Sequence, residues 1–229
     1  MFKQLLIAGM LISGGLLAGC SSDDAASGSS ESKEEAKPSE QKAKDSVPEP
    51  KKDENGNTIL EEPGQKAESE EATAELLNIK KVNETVNIKP IKVTIQDIKL
   101  IKLTDVSNDY ALNVSMGSQI DSEVLEKGFS YIQVKYTAEN TEDRNIEWYD
   151  LMNVVTDKGE QIDGQMVDFI TDEGDTDSEF IGKVKKEFVD GFVVKNADIN
   201  KVKLVFGSSV DSSTYEDITG EQTVEYSFE

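Results

Sequence analysis

The sequence predicts an all-β chain whose folded part is an antiparallel β-sandwich. Three observations predict it. From Ile79 onward, apolar residues recur with period two in short runs, turn residues bound each run, and no long amphipathic helix interrupts them. About seven such runs within roughly 150 residues suit two packed sheets, with an open β-barrel as the alternative closure of the same strands. A domain of that length buries close to about 70 % of the surface its unfolded chain exposes, enough for a core without disulfides.

The elements follow in order. The stretch IKPIKVTIQDIKLIKL, Ile88 to Leu103, puts Ile91, Val93 and Ile95 on one face and resumes with Ile98, Leu100 and Lys102, so a bulge is expected at Gln96 and Asp97. YIQVKYTAEN repeats the alternation, with Ile132, Val134, Tyr136 and Ala138 inward, and a polar turn follows over Asn140 to Asn145. IEWYDLMNVVTDKGEQI is a hairpin signal turning at Asp157, Lys158 and Gly159. Further strands are expected at Met166 to Ile170, Phe180 to Val194, Lys201 to Phe206 and Thr223 to Phe228. The segment ESEEATAELLN, Glu68 to Asn78, suits one or two helical turns ahead of the domain.

At the other end of the chain, Lys3 precedes an apolar run from Leu5 to Leu17, too short for the roughly 20 residues of a membrane-spanning helix. The run stops at Leu17, Ala18, Gly19 and Cys20, which resemble the lipobox of bacterial lipoproteins. That resemblance implies cleavage between Gly19 and Cys20, diacylglycerol on the Cys20 sulfur, and an extracytoplasmic chain anchored to the cell membrane. More than one acyl chain gives stable anchoring, at about 0.8 kcal/mol per buried methylene. Cys20 is the single cysteine, so no internal disulfide is available.

Between anchor and domain lies a segment rich in Ser, Glu, Lys and Pro that has too little apolar surface to offset the loss of chain entropy. It is expected to be a disordered acidic linker, with a reach of roughly 40 Å that charge repulsion and proline extend. The resulting organisation is a signal peptide over residues 1–19, a lipidated cysteine and linker over 20–78, and the sandwich over 79–229.

Composition narrows the chemistry. The chain has no histidine, which removes the commonest general base near neutral pH, the Ser-His-Asp triad and most zinc sites. Its net charge is -22, from 46 acidic and 24 basic residues, and Arg144 is the single arginine. Nucleic-acid binding needs a basic footprint, which this chain lacks.

The order GFSYIQVKYTAENTEDRNIEWYDLMNVVTDKGEQID, then FIGKVKKEFVDGFVVKN, then INKVKLVFG resembles the immunoglobulin-like, telokin-like domain of small bacterial surface lipoproteins. The matching features are Tyr131 to Asn140, Asp157 to Gly159, Lys185 to Val194 and Val202 to Phe206, across residues 88 to 229. Thr104 to Ser122 departs from the pattern as an insertion. The resemblance implies an immunoglobulin-like sandwich at the cell surface and carries over no catalytic residue.

Two groups of residues are candidates for binding. In TDEGDTDSE, Asp172, Asp175, Asp177 and Glu179 could offer oxygen ligands to calcium, although the EF-hand pattern is not met: Phe180 stands where a glycine is required. Trp148 is expected in the core, and core packing is expected to account for most of the aromatic cluster it forms with Phe129, Tyr131, Tyr136 and Tyr149, whereas Tyr149 is out of phase with Trp148 and should face the other way as a contact residue. Three function classes follow: a non-enzymatic module that contacts an envelope or host protein, a calcium-dependent binding domain, and a carboxylate-based hydrolase. The first is preferred, with no cofactor beyond the covalent lipid.

Overall fold

The computed structural model describes residues 47–53, 56–170 and 177–228. Its architecture is the antiparallel β-sandwich expected. One layer is a five-stranded sheet in the order β11-β6-β5-β4-β3, built from β3 (Lys66–Glu68), β4 (Thr73–Ile88), β5 (Ile91–Thr104), β6 (Phe129–Asn140) and β11 (Lys185–Val194). The expected bulge is present: the β5 to β6 register shifts between Ile95 and Asp97. Ile91, Val93, Ile95, Ile98 and Leu100 are all buried on the inner face, so the inserted residue keeps the apolar phase on one side of the sheet.

The opposing layer consists of two four-stranded halves. One runs β10-β7-β13-β14, from β10 (Glu179–Phe180), β7 (Ile146–Trp148), β13 (Ser209–Asp211) and β14 (Asp217–Thr219). The other runs β15-β12-β8-β9, from β15 (Gln222–Ser227), β12 (Lys201–Phe206), β8 (Leu151–Thr156) and β9 (Gln161–Asp163). Two of the crossings between the halves are made within a few residues: β7 passes to β8 through Tyr149 and Asp150, and β12 passes to β13 through Gly207 and Ser208. At this crossing the Gly207 N–H donates to the carbonyls of Tyr149, at 3.1 Å, and Asp150, at 2.8 Å. A Cβ on residue 207 would lie 2.0 Å from the Tyr149 oxygen, so only glycine permits the two chains to meet there.

The layers close on one apolar core. Trp148 is 1 % exposed and lies edge-on to Tyr136 and Phe188, with its Nε1 donating to the Gly207 carbonyl at 3.1 Å. Tyr136 stacks on Phe188 with ring centroids 4.8 Å apart. The Tyr136 hydroxyl donates to the buried carboxyl of Asp190 at 3.0 Å, giving each of these polar groups in the core a partner. Asn140, fully buried where β6 ends, organises the following turn. Its Nδ2 donates to the carbonyls of Arg144 and Gly182, at 2.8 and 2.9 Å, and its Oδ1 accepts from the Glu142 N–H at 3.0 Å.

A second core lies on the outer face of the five-stranded sheet, where Ala72, Ala74, Leu76, Ile101, Leu103 and Tyr131 are covered by Tyr110, Ala111, Val114 and Leu125. The cover comes from α1 (Asn108–Ser118) and α2 (Ser122–Leu125), which occupy the stretch expected as an insertion. Ser107 caps α1, its side chain accepting from the Tyr110 N–H.

Four elements differ from the sequence reading. Strand structure reaches upstream of residue 79: β1 (Lys51–Lys52) pairs with β2 (Thr58–Ile59), and β3 pairs with β4, inside the stretch expected as linker. In place of helical turns over Glu68 to Asn78, β4 begins at Thr73, because Ala72, Ala74 and Leu76 alternate into the second core. The strand expected over Met166 to Ile170 is instead a short helical turn, α3 (Gly164–Val167), followed by a loop. The expected strand over Phe180 to Val194 divides into β10 and β11.

That loop closes an edge of the sheet. The Asp168 carboxylate accepts from the N–H groups of Gly191, at 2.7 Å, and Ile170, at 2.9 Å, while the Phe169 N–H donates to the Gly191 carbonyl at 3.1 Å. The outward backbone groups of β11 are thereby paired at its centre. A Cβ at residue 191 would come within 2.5 Å of the Ile170 side chain, so a larger residue there requires that side chain to shift.

Candidate functional site

The outer face of the five-stranded sheet carries a cavity of about 320 Å³ between the central strands and the β1–β2 hairpin. Strand register dictates its floor. On β5 and β6, Asp97 pairs with Lys135, Lys99 with Gln133 and Ile101 with Tyr131, so Tyr131, Gln133 and Lys135 form a row on the face opposite the main core. Tyr110 from α1 and Ile170 from the edge loop form walls, and Thr58, Ile59 and Leu60 approach from the hairpin.

The polar groups of this cavity are mostly donors with unused capacity. Tyr131 is 3 % exposed and Tyr110 is 8 % exposed, yet neither hydroxyl makes a hydrogen bond with any described residue. Neither the Gln133 amide nor the Lys135 ammonium has a described partner. Lys99 is paired more loosely, its Nζ lying 3.7 Å from Asp97 Oδ1. Asp53 adds a carboxylate, but that group accepts from the Asn57 N–H at 2.8 Å and from Asn57 Nδ2 at 2.7 Å, within its own turn.

Burial sets the protonation of the phenols. Desolvation raises the pKa of both Tyr110 and Tyr131 far above that of a free tyrosine, reinforced at Tyr110 by the Glu71 charge and at Tyr131 by the Tyr110 hydroxyl. Both stay neutral donors at any physiological pH. Tyr226 is pushed up to about 12, by burial first and then by the charge of Glu84. A pKa raised in the folded state means that the native chain holds protons that the unfolded chain has released. Stability is therefore complete below about pH 10, the ordinary tyrosine value, and falls as pH rises from there through the folded pKa values. The expected result is a melting temperature that drops steeply above about pH 10. Tyrosinate absorbance should show Tyr110, Tyr131 and Tyr226 ionising only with unfolding, and ionisation of all tyrosines near pH 10 in the native state would contradict these environments.

The residues singled out from the sequence lie elsewhere. Tyr149 is 47 % exposed at the crossing between β7 and β8, out of phase with buried Trp148 as expected, and belongs to the other layer of the sandwich. Of the acidic stretch, Asp177 and Glu179 are adjacent: Asp177 Oδ1 accepts from the Glu179 N–H at 2.9 Å, and Glu179 Oε1 accepts from Asn145 Nδ2 at 3.1 Å. Asp172 and Asp175 lie outside the described residues, as do Gly19, Cys20 and the linker up to residue 46. Among the described residues, no three acidic or thiol side chains cluster as a metal site. Sequence reasoning missed Lys99, Tyr110, Gln133 and Lys135, and it counted Tyr131 only as one of an aromatic cluster explained mostly by core packing. The available signal was phase: Tyr131 shares the outward phase of Gln133 and Lys135 on a strand whose inward phase carries Ile132, Val134, Tyr136 and Ala138.

Comparison with known proteins gives no family model and no curated protein that matches this chain. Among solved structures, it is similar to a functionally unknown protein from Listeria monocytogenes EGD-e, with 12 % identity and a TM-score of 0.48 over 68 % of this chain and 86 % of that one. It is also similar to a conserved hypothetical protein from Bacillus anthracis, with 13 % identity and a TM-score of 0.34 over 62 % of this chain and 99 % of that one.

Proposed function

We propose that this chain is a lipid-anchored, extracytoplasmic binding module, with Cys20 as the anchor and the sandwich as the recognition domain. The observation that carries the binding role is the cavity on the outer face of the central strands, where donor side chains stand on a sheet fixed by a core on each side. Sites built on such elements hold their geometry better than sites on loops. A hydrolase reading is weaker there. Glycoside hydrolysis needs two carboxylates flanking the scissile bond, and the cavity lining contains one, Asp53, whose oxygens are engaged by Asn57. Support for the anchor comes from the sequence Leu17-Ala18-Gly19-Cys20 and the apolar run before it.

The test is detergent phase partitioning of the full chain expressed in a bacterium. The wild type is expected in the detergent phase and Cys20→Ala in the aqueous phase or the medium, because an apolar run this short gives weak membrane retention by itself. A Cys20→Ala chain that partitions as the wild type does would overturn the anchored reading. Crosslinking of the wild type on intact cells then reports whether its surface contacts an envelope component.

A further inference from the structure

We propose that the cavity between the five-stranded sheet and the β1–β2 hairpin binds a small organic anion: an acidic head group, carboxylate or phosphate monoester, on a compact apolar body. This rests on reading the domain as a binding module and names what it binds. The cavity's 320 Å³ falls at the small end of the range of about 300–1,000 Å³ typical of ligand sites.

The chemistry of the floor selects the head group. Tyr131, Gln133 and Lys135 occupy successive outward positions of β6, about 7 Å apart at the rise of a β-strand, and each presents a donor without a described partner. The Tyr110 hydroxyl comes from α1, and Lys99 flanks Gln133 across the sheet. Burying donors without acceptors is costly, and an anion with two or three oxygens satisfies several at once through charge-assisted bonds. The one carboxylate in the lining, Asp53, is already bonded to Asn57; Asp97 pairs with Lys99, and the charges of Glu71 and Glu61 reach Tyr110 and Lys99 from outside the lining. The apolar body follows from the rest of the lining. Ile101 lies on the floor beside Tyr131, while Leu60, Ile170 and Val189 supply aliphatic surface around the donors.

The local charge also runs against the global one. A chain of net charge -22 repels anions at long range, so affinity for an anion must arise from the lysines at short range and should weaken as salt screens them. Loss of either lysine should therefore be felt in affinity, while loss of Tyr149, on the other layer, should not.

The experiment uses the full-length chain in lipid nanodiscs, with empty nanodiscs as the blank, and follows ¹⁹F relaxation of three probes. These are 4-fluorobenzoate, 4-fluorophenyl phosphate and the neutral 4-fluorobenzamide. At least one anion is expected to bind saturably, about tenfold or more tighter than the amide, and the tighter of the two names the head group. Lys135→Met should erase most of that preference, and Tyr131→Phe, which preserves shape, should weaken the anion about two- to fivefold. Tyr149→Ala should bind as the wild type does. Lys135→Gln serves in place of Lys135→Met if the latter melts early. Equal binding of anion and amide, unchanged affinity in folded Lys135 and Tyr131 variants, or no saturation by either anion at about 10 mM would each overturn the proposal. The outcome is separable from the anchor reading, since a chain that fails with every probe but still partitions through Cys20 loses only its ligand class.

Discussion

Trp148→Ala is expected to destabilise the domain by about 3–5 kcal/mol, whereas Tyr149→Ala, one residue on, should change stability by no more than about 0.5 kcal/mol. The contrast comes from their surroundings. Trp148 is 1 % exposed, contacts Tyr136, Phe180, Phe188 and Phe206, and donates its indole N–H to the Gly207 carbonyl. Truncation opens a cavity in the centre of the sandwich and orphans a carbonyl at the crossing between the two half-sheets. Tyr149 leaves its side chain in solvent and contributes its backbone carbonyl to Gly207, which alanine retains. For a domain of this length, the Trp148 loss corresponds to a fall in melting temperature of roughly 6–20 °C. Urea denaturation of both variants checks the claim, and comparable losses at the two positions would mean that the assignment of inward and outward faces is mistaken.

Asn140→Ala should cost about 2–4 kcal/mol, a large effect for a residue at the end of a strand. Its side chain makes three hydrogen bonds that tie the Asn140 to Asn145 turn to the loop at Gly182. Alanine leaves the carbonyls of Arg144 and Gly182 and the N–H of Glu142 without that partner. Asn140→Asp is the more informative variant. It keeps an acceptor for Glu142 but replaces a double donor with a carboxylate facing two carbonyl oxygens in a fully buried site, so it should be at least as destabilising as alanine at neutral pH. Its stability should partly recover on acidification, when a protonated carboxyl can donate once. Chemical denaturation across pH reads this directly, and an Asn140→Asp domain as stable as wild type at pH 7 would refute the role given to the amide.

The sandwich was legible because its core strands keep strict phase. The apolar positions of Ile91 to Leu100 and Ile132 to Ala138 specify both faces and the bulge between them, and β12 spans Lys201–Phe206 as its alternation implies. The second core was not legible for a related reason. Its contribution at the start of β4 is Ala72, just before the strand, then Ala74 and Leu76, spaced among glutamates and threonine, so the alternation is weak in sequence and forms an apolar face only where α1 covers it. The run Leu100, Ile101, Leu103 held a clue, since apolar residues on both phases of a strand imply burial on both sides. α1 was hidden because Leu112 and Met116 are exposed, 56 % and 70 %, and blur the stripe of Tyr110, Ala111 and Val114. The cavity needs register across β5, β6 and β11 together with a hairpin from well upstream, and no local pattern encodes such a meeting.

The loop from Asp168 to Ile170 bears on how the domain behaves among many copies of itself. An unguarded β11 would offer a row of open amides and carbonyls on which another chain could add a strand, the first step of polymerisation. Here the Gly191 groups at the middle of that row are already bonded within the same molecule, and a newcomer would have to strip away Asp168 and Phe169 before its own ladder could run through. Growth in that direction is interrupted at its centre, so crowding of copies on one surface need not end in fibres.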